Sequence, residues 1–148
     1  MNNEIYIMGL DIGGANTDCC IYKITDNQAI LIESIKQYLP MWEKKYELTK
    51  CLEVFKKRYP IDVVITTTTA ELADGYKSKK EGIFDITGKV MEVFDDCIVK
   101  FVTVNNLKDY DLFLEDTSLN IFYFKKENTK NLLNTYFYEK NTDYNNIV

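Results

Sequence analysis

The first third of the chain alternates between short apolar runs and turn-forming residues. Three runs rich in β-branched residues occupy positions 5–10, 17–24 and 29–35. They are separated by Gly13-Gly14 and by the polar cluster Thr25-Asp26-Asn27. Runs of this length joined by tight turns predict an antiparallel meander of three strands.

The middle of the chain changes to a helical period. Apolar residues recur every three or four positions over residues 41–58, and Tyr59-Pro60 ends the pattern, which predicts a helix. Residues 61–66 (IDVVIT) form a nearly continuous apolar run, typical of a parallel strand buried on both faces. Residues 69–74 and 77–94 are predicted to be helical, and residues 97–104 to form a further strand. The predicted order β-β-β-α-β-α-β indicates an α/β fold with a mixed sheet and flanking helices.

Composition limits the classes of function. The chain has 148 residues, 46% of them hydrophobic and 28% charged, with a net charge of −5. This is enough for one domain with a real core. The acidic balance and the lack of a basic stripe argue against a nucleic-acid partner. No apolar run reaches the length of a membrane span, and no basic segment marks a signal peptide, so we expect a cytoplasmic protein with no membrane association.

The reactive residue types narrow the chemistry further. The chain has four cysteines, Cys19, Cys20, Cys51 and Cys97, with no C-x-x-C pair, and it has no histidine. A zinc site is therefore not expected, and the thiols fit a reducing compartment. Without histidine, Ser–His and Cys–His pairs are excluded. Any acid–base role falls to Asp, Glu, Lys or Tyr.

The turn after the first strand carries the most chemical information. Asp11 ends an apolar strand, and Gly13 and Gly14 can adopt positive φ and let a ligand approach the backbone. Successive N–H groups in such a turn can bind an anion, with Asn16 and Thr17 as further donors. The Asp11 carboxylate could hold Mg²⁺ through water. A β-hairpin without a ligand is an equally good interpretation of these residues alone, and the G-K-[ST] ending of a P-loop is absent.

Two segments resemble a known family. The pattern strand–D-x-G-G-x-x-T–strand resembles the first phosphate loop of the sugar kinase/heat-shock protein/actin (ASKHA) superfamily, and GLDIGGANTD resembles the start of hydantoinase/oxoprolinase-type proteins. Residues 66–83 (TTTTAELADGYKSKKEGI) resemble the T-x-E-L-A-D…K-x-E-G block of an archaeal branch. That branch contains the furan-methanamine synthase family of methanofuran biosynthesis, also called tetrahydromethanopterin-linked C1-transfer proteins. The resemblance covers about residues 4–118 and implies a single actin-like, ribonuclease H-like lobe.

The resemblance implies a transferase that joins a furan-methyl diphosphate to γ-glutamyltyramine and releases pyrophosphate. A diphosphate-bearing small molecule would then be bound by Gly13, Gly14, Asn16, Thr17 and Lys79, with Lys77 and Lys80 as further sources of charge. Asp11 would hold Mg²⁺, and Glu71 or Asp74 would accept the phenolic proton. Each assignment has a structural alternative, because the lysines fit a solvated helix face and Asp74 fits a capping group at a helix end.

The resemblance also implies a missing part. Members of the superfamily have two lobes, each with its own phosphate loop, and this chain has one such loop. We expect residues 1–118 to form the N-terminal lobe and residues 119–148 to be an unrecognised tail, as in a truncated or frameshifted product that is inactive alone. A loose tail helix over residues 129–138 and self-association through the open face are expected.

Two alternatives place the chain in other classes. One is a stand-alone phosphate- or nucleotide-binding module that needs a second-lobe polypeptide. The other is a fragment of an ATP-dependent hydantoinase/oxoprolinase-type enzyme or kinase.

Overall fold

A computed structural model describes residues 4–102 and the backbone of residues 107–108. The strands of this part are β1 (Ile5–Ile12), β2 (Asn16–Ile24), β3 (Ala29–Tyr38), β4 (Val63–Thr68), β5 (Ile98–Val102) and β6 (Leu107–Lys108). The helices are α1 (Met41–Lys44), α2 (Leu48–Lys56) and α3 (Lys79–Val93), with single 3₁₀ turns at Lys45–Glu47 and Ala70–Leu72. The expected boundary near Ser118 and the expected helix at 129–138 lie outside the described residues.

The strands form one mixed sheet in the order β3-β2-β1-β4-β5-β6. The pairs β1–β2 and β2–β3 are antiparallel, which confirms the predicted meander. β4 is parallel to both β1 and β5, and all of its residues are buried, which confirms the buried parallel strand predicted from IDVVIT. The strand spans Val63–Thr68 instead of residues 61–66, and Asp62 is exposed. The mixed sheet and its flanking helices confirm the predicted α/β fold class.

The main core lies between one face of the sheet and the helices. Alternate residues of β1 and the apolar faces of α2 and α3 contribute to it: Met8, Leu10, Ile12, Leu52, Phe55, Ile83, Ile86 and Val90. Five further buried residues form a smaller cluster on the opposite face: Ile7, Ile24, Val63, Ile65 and Val102. Because side chains alternate along a strand, Asp11 lies on the face opposite the helices. Within residues 4–102, no helix is long and apolar enough to cross a bilayer.

The helix predicted over residues 41–58 is interrupted, so that prediction was wrong in extent. α1 ends at Lys44, a 3₁₀ turn follows, and α2 begins at Leu48. The Lys45 ammonium donates to the Gly75 carbonyl, and the Lys45 carbonyl accepts from the Lys89 ammonium at 2.9 Å. The Lys89 ammonium thus occupies a backbone carbonyl that a continuous helix would use for its own hydrogen bond. No glycine or proline within residues 41–58 marks this break.

The helix predicted over residues 69–74 is only the 3₁₀ turn Ala70–Leu72. Thr69 donates its N–H to the Ile12 carbonyl of β1 at 3.0 Å, which places it beside the end of that strand and outside a helix. The helix predicted over residues 77–94 begins two residues later, at Lys79. Ser78 caps it, because the Ser78 hydroxyl accepts the N–H of Glu81 and the Glu81 carboxylate accepts the N–H of Lys77.

Candidate functional site

The β1–β2 hairpin projects its glycine turn at the end of the sheet where β1 and β4 both finish. The carbonyls of Gly14 and Ala15 accept hydrogen bonds from the N–H groups of Met41 and Leu39, at 2.8 and 2.9 Å. Within residues 4–102, no backbone carbonyl accepts from the N–H of Gly14 or Ala15. The turn therefore has fixed carbonyls and two backbone donors that remain available to an anion.

The glycines of this turn do not need positive φ. No described glycine has a positive φ, so this turn does not use the conformational freedom of its glycines. Gly13 instead lies too close to the Asn16 carbonyl for a larger side chain. Its N–H donates to that carbonyl, and an added Cβ would lie 3.0 Å from the oxygen. At Gly14 an added Cβ would meet nothing within 4 Å among the described residues. The open side of the turn is thus at Gly14.

Asp11 faces a second carboxylate that the sequence analysis did not single out. Asp18 of β2 is its direct partner in the antiparallel register, so both side chains lie on the face opposite the helices. Both line a cavity of about 320 Å³, together with Gly9, Ser34 and Lys36. Burial, and after it the charge of Asp18, raises the pKa of Asp11 to about 6. Hairpin register could have revealed the pair, because residues equally distant from the turn face each other.

Thr17 lies on the other face of the sheet. It is adjacent to Asp18 in β2, its side chain is fully buried, and its hydroxyl has no hydrogen-bond partner among the described residues. Asn16, at the base of the turn, is partly exposed. The structure therefore places Asn16 near the open turn but separates the Thr17 hydroxyl from the Asp11 carboxylate. Phosphate binding by Asn16 and Thr17 stays a prediction.

Glu71 lies just past the end of β4, two residues after Thr69. A Cβ at Gly13 would lie 4.0 Å from the Thr69 hydroxyl, so this segment borders the glycine turn. Glu71 is only 3% exposed, and its Oε2 has no hydrogen-bond partner among the described residues. Burial raises the pKa of Glu71, while its own backbone N–H, the charge of Lys79 and the Thr68 hydroxyl lower it by smaller amounts. Glu71 is an interior carboxyl group that holds its proton more tightly than usual.

The remaining candidates are less enclosed. Asp74 is exposed in the loop before α3. Lys77 and Lys80 are exposed, and the Lys80 ammonium lies 5.8 Å from the centre of the Phe84 ring. Lys79, at the first turn of α3, is partly buried and its charge acts on Glu71. Of the three lysines, Lys79 is the one placed beside a buried candidate residue.

The donor set suits a hard cation held partly by water. No group of three or more His, Cys, Asp or Glu side chains that could hold a metal occurs in the described part of the chain. Two carboxylates on one face, Asp11 and Asp18, supply oxygen donors, and Mg²⁺ commonly keeps several waters and takes one or two carboxylates. The residues present therefore fit Mg²⁺, although its binding at Asp11 stays a prediction.

Comparison with solved structures gives matches of low identity. A Ppx/GppA family member from Aquifex aeolicus is 13% identical, with 67% of this chain and 35% of that chain covered and a TM-score of 0.47. An exopolyphosphatase from Cytophaga hutchinsonii is 15% identical, with coverage of 66% and 34% and a TM-score of 0.47. RuvC from T. thermophilus, solved with a Holliday junction substrate, is 13% identical, with coverage of 66% and 65% and a TM-score of 0.47.

Comparison of sequences is more informative. No protein-family model matches the chain. A relative from Methanocaldococcus jannaschii is 44% identical over 102 residues, which is 69% of this chain. The alignment spans 28% of the length of that relative. The chain is thus similar to part of an archaeal protein named (4-{4-[2-(gamma-L-glutamylamino)ethyl]phenoxymethyl}furan-2-yl)methanamine synthase.

Proposed function

We propose that this chain carries the diphosphate-binding part of an ether-forming transferase of methanofuran biosynthesis. The reaction condenses a furan-methyl diphosphate with γ-glutamyltyramine and releases pyrophosphate. The observation that carries the proposal is the 44% identity over 102 residues to the Methanocaldococcus synthase. The position of the glycine turn supports it, because the turn presents backbone donors at the same edge of the sheet as a buried carboxyl group.

In this proposal the glycine turn stabilises the leaving group. The bond between the furan methylene carbon and the diphosphate oxygen breaks, and negative charge develops on pyrophosphate. The N–H groups of Gly14 and Ala15 can donate to that charge, since no backbone carbonyl within residues 4–102 accepts from them. The Lys79 ammonium, at the first turn of α3, adds positive charge. Mg²⁺ at Asp11, when bound, neutralises further charge on the diphosphate.

Glu71 is the proposed base for the phenol. The phenolic oxygen of γ-glutamyltyramine forms the new bond to the methylene carbon, and its proton passes to the Glu71 carboxylate. A phenol is a weak acid, so a carboxylate with a raised pKa is better matched to it than an ordinary one. Burial gives Glu71 this property, whereas Asp74 is exposed. Asp74 is the second candidate because it lies in the same loop.

We propose that groups outside the described residues complete this site. The chain spans 28% of the length of the relative. The described residues supply one glycine turn and two candidate bases, Glu71 and Asp74. We expect a second-lobe polypeptide or self-association to complete the site. The isolated chain should therefore bind the diphosphate substrate without turning it over.

Pyrophosphate release tests this proposal. The purified chain is incubated with furan-methyl diphosphate, γ-glutamyltyramine and Mg²⁺, and released pyrophosphate is measured alongside binding of the diphosphate substrate. Binding without release is expected. Release by the chain alone would contradict the incomplete site. Failure to bind furan-methyl diphosphate, with binding of ATP instead, would favour the nucleotide-binding or kinase-like alternative.

A further inference from the structure

A row of polar side chains crosses four strands on the face opposite the helices. Asp11 of β1 is paired with Asp18 of β2 on one side and with Thr67 of β4 on the other. Lys36 of β3 is the register partner of Asp18. We call these two carboxylates and the neighbouring hydroxyl, Asp18, Asp11 and Thr67, the carboxylate row. Directly opposed residues in antiparallel strands have Cβ atoms about 4.5–5.5 Å apart, so the two carboxyl groups are close neighbours.

The two carboxylates of the row form no ion pair among the described residues, although Lys36 lines the same cavity and the buried Lys100 lies on the same face of the sheet. None of the ion pairs formed within residues 4–102 includes Asp11 or Asp18. Asp18 Oδ1 is buried without a hydrogen-bond partner among the described residues. Like charges directly opposite each other in a sheet are destabilising. A cation bound between the two carboxylates would relieve this repulsion.

Thr67 gives an independent reason to place a binding site at the row. It is 2% exposed, and its hydroxyl has no hydrogen-bond partner among the described residues. Burying a hydroxyl without a partner costs about 1–3 kcal/mol, so native proteins usually satisfy it. As the register partner of Asp11, Thr67 presents its side chain on the same face, directly beside that carboxylate. Its unsatisfied oxygen points to a group bound at the row.

The cavity provides the room. It measures about 320 Å³, and both carboxylates line it. Gly9 also lines it and contributes no side chain, so the space beside Asp11 along β1 is not filled from that strand. This volume can hold a cation together with several waters.

We infer that Asp11 and Asp18 together ligate one divalent cation of the Mg²⁺ class on the face of the sheet opposite the helices, with Thr67 as a neighbouring oxygen donor. Hard oxygen donors and space for water are what such a cation requires. Asp18 is then a metal ligand in its own right, and the cation bridges β1 and β2. The role of this cation in diphosphate binding rests on the proposed function, but its binding does not.

Mn²⁺ binding to the purified 148-residue chain tests the inference. Free Mn²⁺ is followed by its electron paramagnetic resonance signal at neutral pH, and Mg²⁺ is added as a competitor. One Mn²⁺ per chain, displaced by Mg²⁺, is expected. Asp18→Asn and Asp11→Asn should each weaken binding by about tenfold or more, because each removes one charged ligand. Asp26→Asn, at an exposed position in the β2–β3 turn, is the matched control and should bind as the wild type does.

Thermal unfolding in a chelator provides the second measurement. Without metal, Asp18→Asn should have a higher melting temperature than the wild type, because it removes the repulsion from Asp11. Added Mg²⁺ should raise the melting temperature of the wild type and leave that of Asp18→Asn nearly unchanged.

Three results would overturn the inference. The first is no Mn²⁺ binding by the wild type at millimolar concentration. The second is an Asp18→Asn variant that is less stable than the wild type in chelator or fails to fold. The third is unchanged Mn²⁺ affinity in Asp18→Asn, which would mean that Asp11 holds the cation alone and would leave the proposed function standing. A wild-type chain that binds Mn²⁺ but does not bind pyrophosphate would instead contradict the proposed function and leave this inference standing.

Discussion

Gly82 of α3 packs directly against Glu71. A Cβ added to Gly82 would lie 2.7 Å from the Glu71 Cα, 2.9 Å from the Glu71 Cβ and 3.0 Å from Tyr76 Cδ2. The first of these contacts is with backbone, which cannot move as a flexible side chain can. The glycine therefore allows α3 to approach the segment after β4 closely enough to bury the Glu71 side chain. This contact ties the start of α3 to the segment that carries Glu71.

Gly82→Ala should destabilise the protein, whereas Gly88→Ala should stabilise it. The first change forces α3 away from Glu71, and overpacking of this kind costs about 1–3 kcal/mol. At Gly88 an added Cβ meets nothing within 4 Å among the described residues, so the change should contribute about 0.5–1 kcal/mol through helix propensity. Urea unfolding of the two variants measures the difference. Equal stabilities would mean that the contact with Glu71 is not close in solution.

Glu71→Gln should reduce the loss of stability as the pH rises. Burial raises the pKa of Glu71 above its ordinary value of 4.5 in the folded protein. The stability that protonated Glu71 contributes is fully present below the unfolded pKa and is lost as the pH rises through the folded pKa. The neutral glutamine cannot ionise, so this loss is absent in the variant.

The free energy of unfolding, measured from pH 4 to pH 8, should therefore fall less steeply with pH in Glu71→Gln than in the wild type. Glu53→Gln on the exposed side of α2 is the control and should follow the wild type. If the free energy of unfolding rose with pH more steeply in the wild type than in Glu71→Gln, that result would contradict the buried position of this side chain.

Gly14→Ala should weaken pyrophosphate binding with little change in stability. The added methyl group meets no described residue within 4 Å, and no described glycine has a positive φ, so the fold should tolerate alanine. The methyl group would stand on the open side of the turn, where an anion approaches the N–H groups. A decrease in affinity of about tenfold is expected. Calorimetric titration measures it, and unchanged affinity would place the diphosphate elsewhere.

Gly13→Ala should combine weaker binding with lower stability. Its Cβ would lie 3.0 Å from the Asn16 carbonyl oxygen, inside the hairpin. The cost in unfolding free energy should exceed that of Gly14→Ala. A stable Gly13→Ala variant with normal affinity would show that the hairpin can relax around the new side chain.

Lys79→Met should weaken pyrophosphate binding more than Lys80→Met. Lys79 is partly buried near Glu71, whereas the neighbouring Lys80 is exposed and lies over the Phe84 ring. Both variants remove one positive charge from the first turn of α3, so general electrostatics should affect them alike. A direct contact with diphosphate is worth about 1.5–3 kcal/mol and should appear only in Lys79→Met. Equal affinities would assign both lysines to the solvated face of the helix.

Local pattern was sufficient for most of the sheet. The run at residues 61–66 predicted a buried parallel strand, and β4 is buried throughout and parallel to its neighbours. The break within residues 41–58 could not be predicted, because it depends on contacts of Lys45 with Gly75 and Lys89, which are distant in sequence. The start of α3 could have been predicted from the spacing of Ser78 and Glu81, because the Ser78 hydroxyl accepts the N–H of Glu81 and the Glu81 carboxylate accepts the N–H of Lys77.

The candidate site was only partly visible in the sequence. Asp11 and the glycine turn stand out because the residue types are unusual after an apolar strand. Asp18 was missed because its place in the site depends on its pairing with Asp11 across the hairpin. Thr67 was missed because the burial of its side chain depends on the strands around it. Thr17 was assigned from its place in the motif, but the alternation of side chains puts it on the helix-covered face, opposite Asp11.

Equilibrium binding of pyrophosphate to the purified chain in the presence of Mg²⁺ tests the central claim most directly. We expect one pyrophosphate per chain, binding that is lost in chelator, and weaker binding in Gly14→Ala but not in Gly88→Ala. Absence of pyrophosphate binding by the folded chain, or equal affinities in these two variants, would contradict the assignment of the β1–β2 hairpin as the diphosphate site.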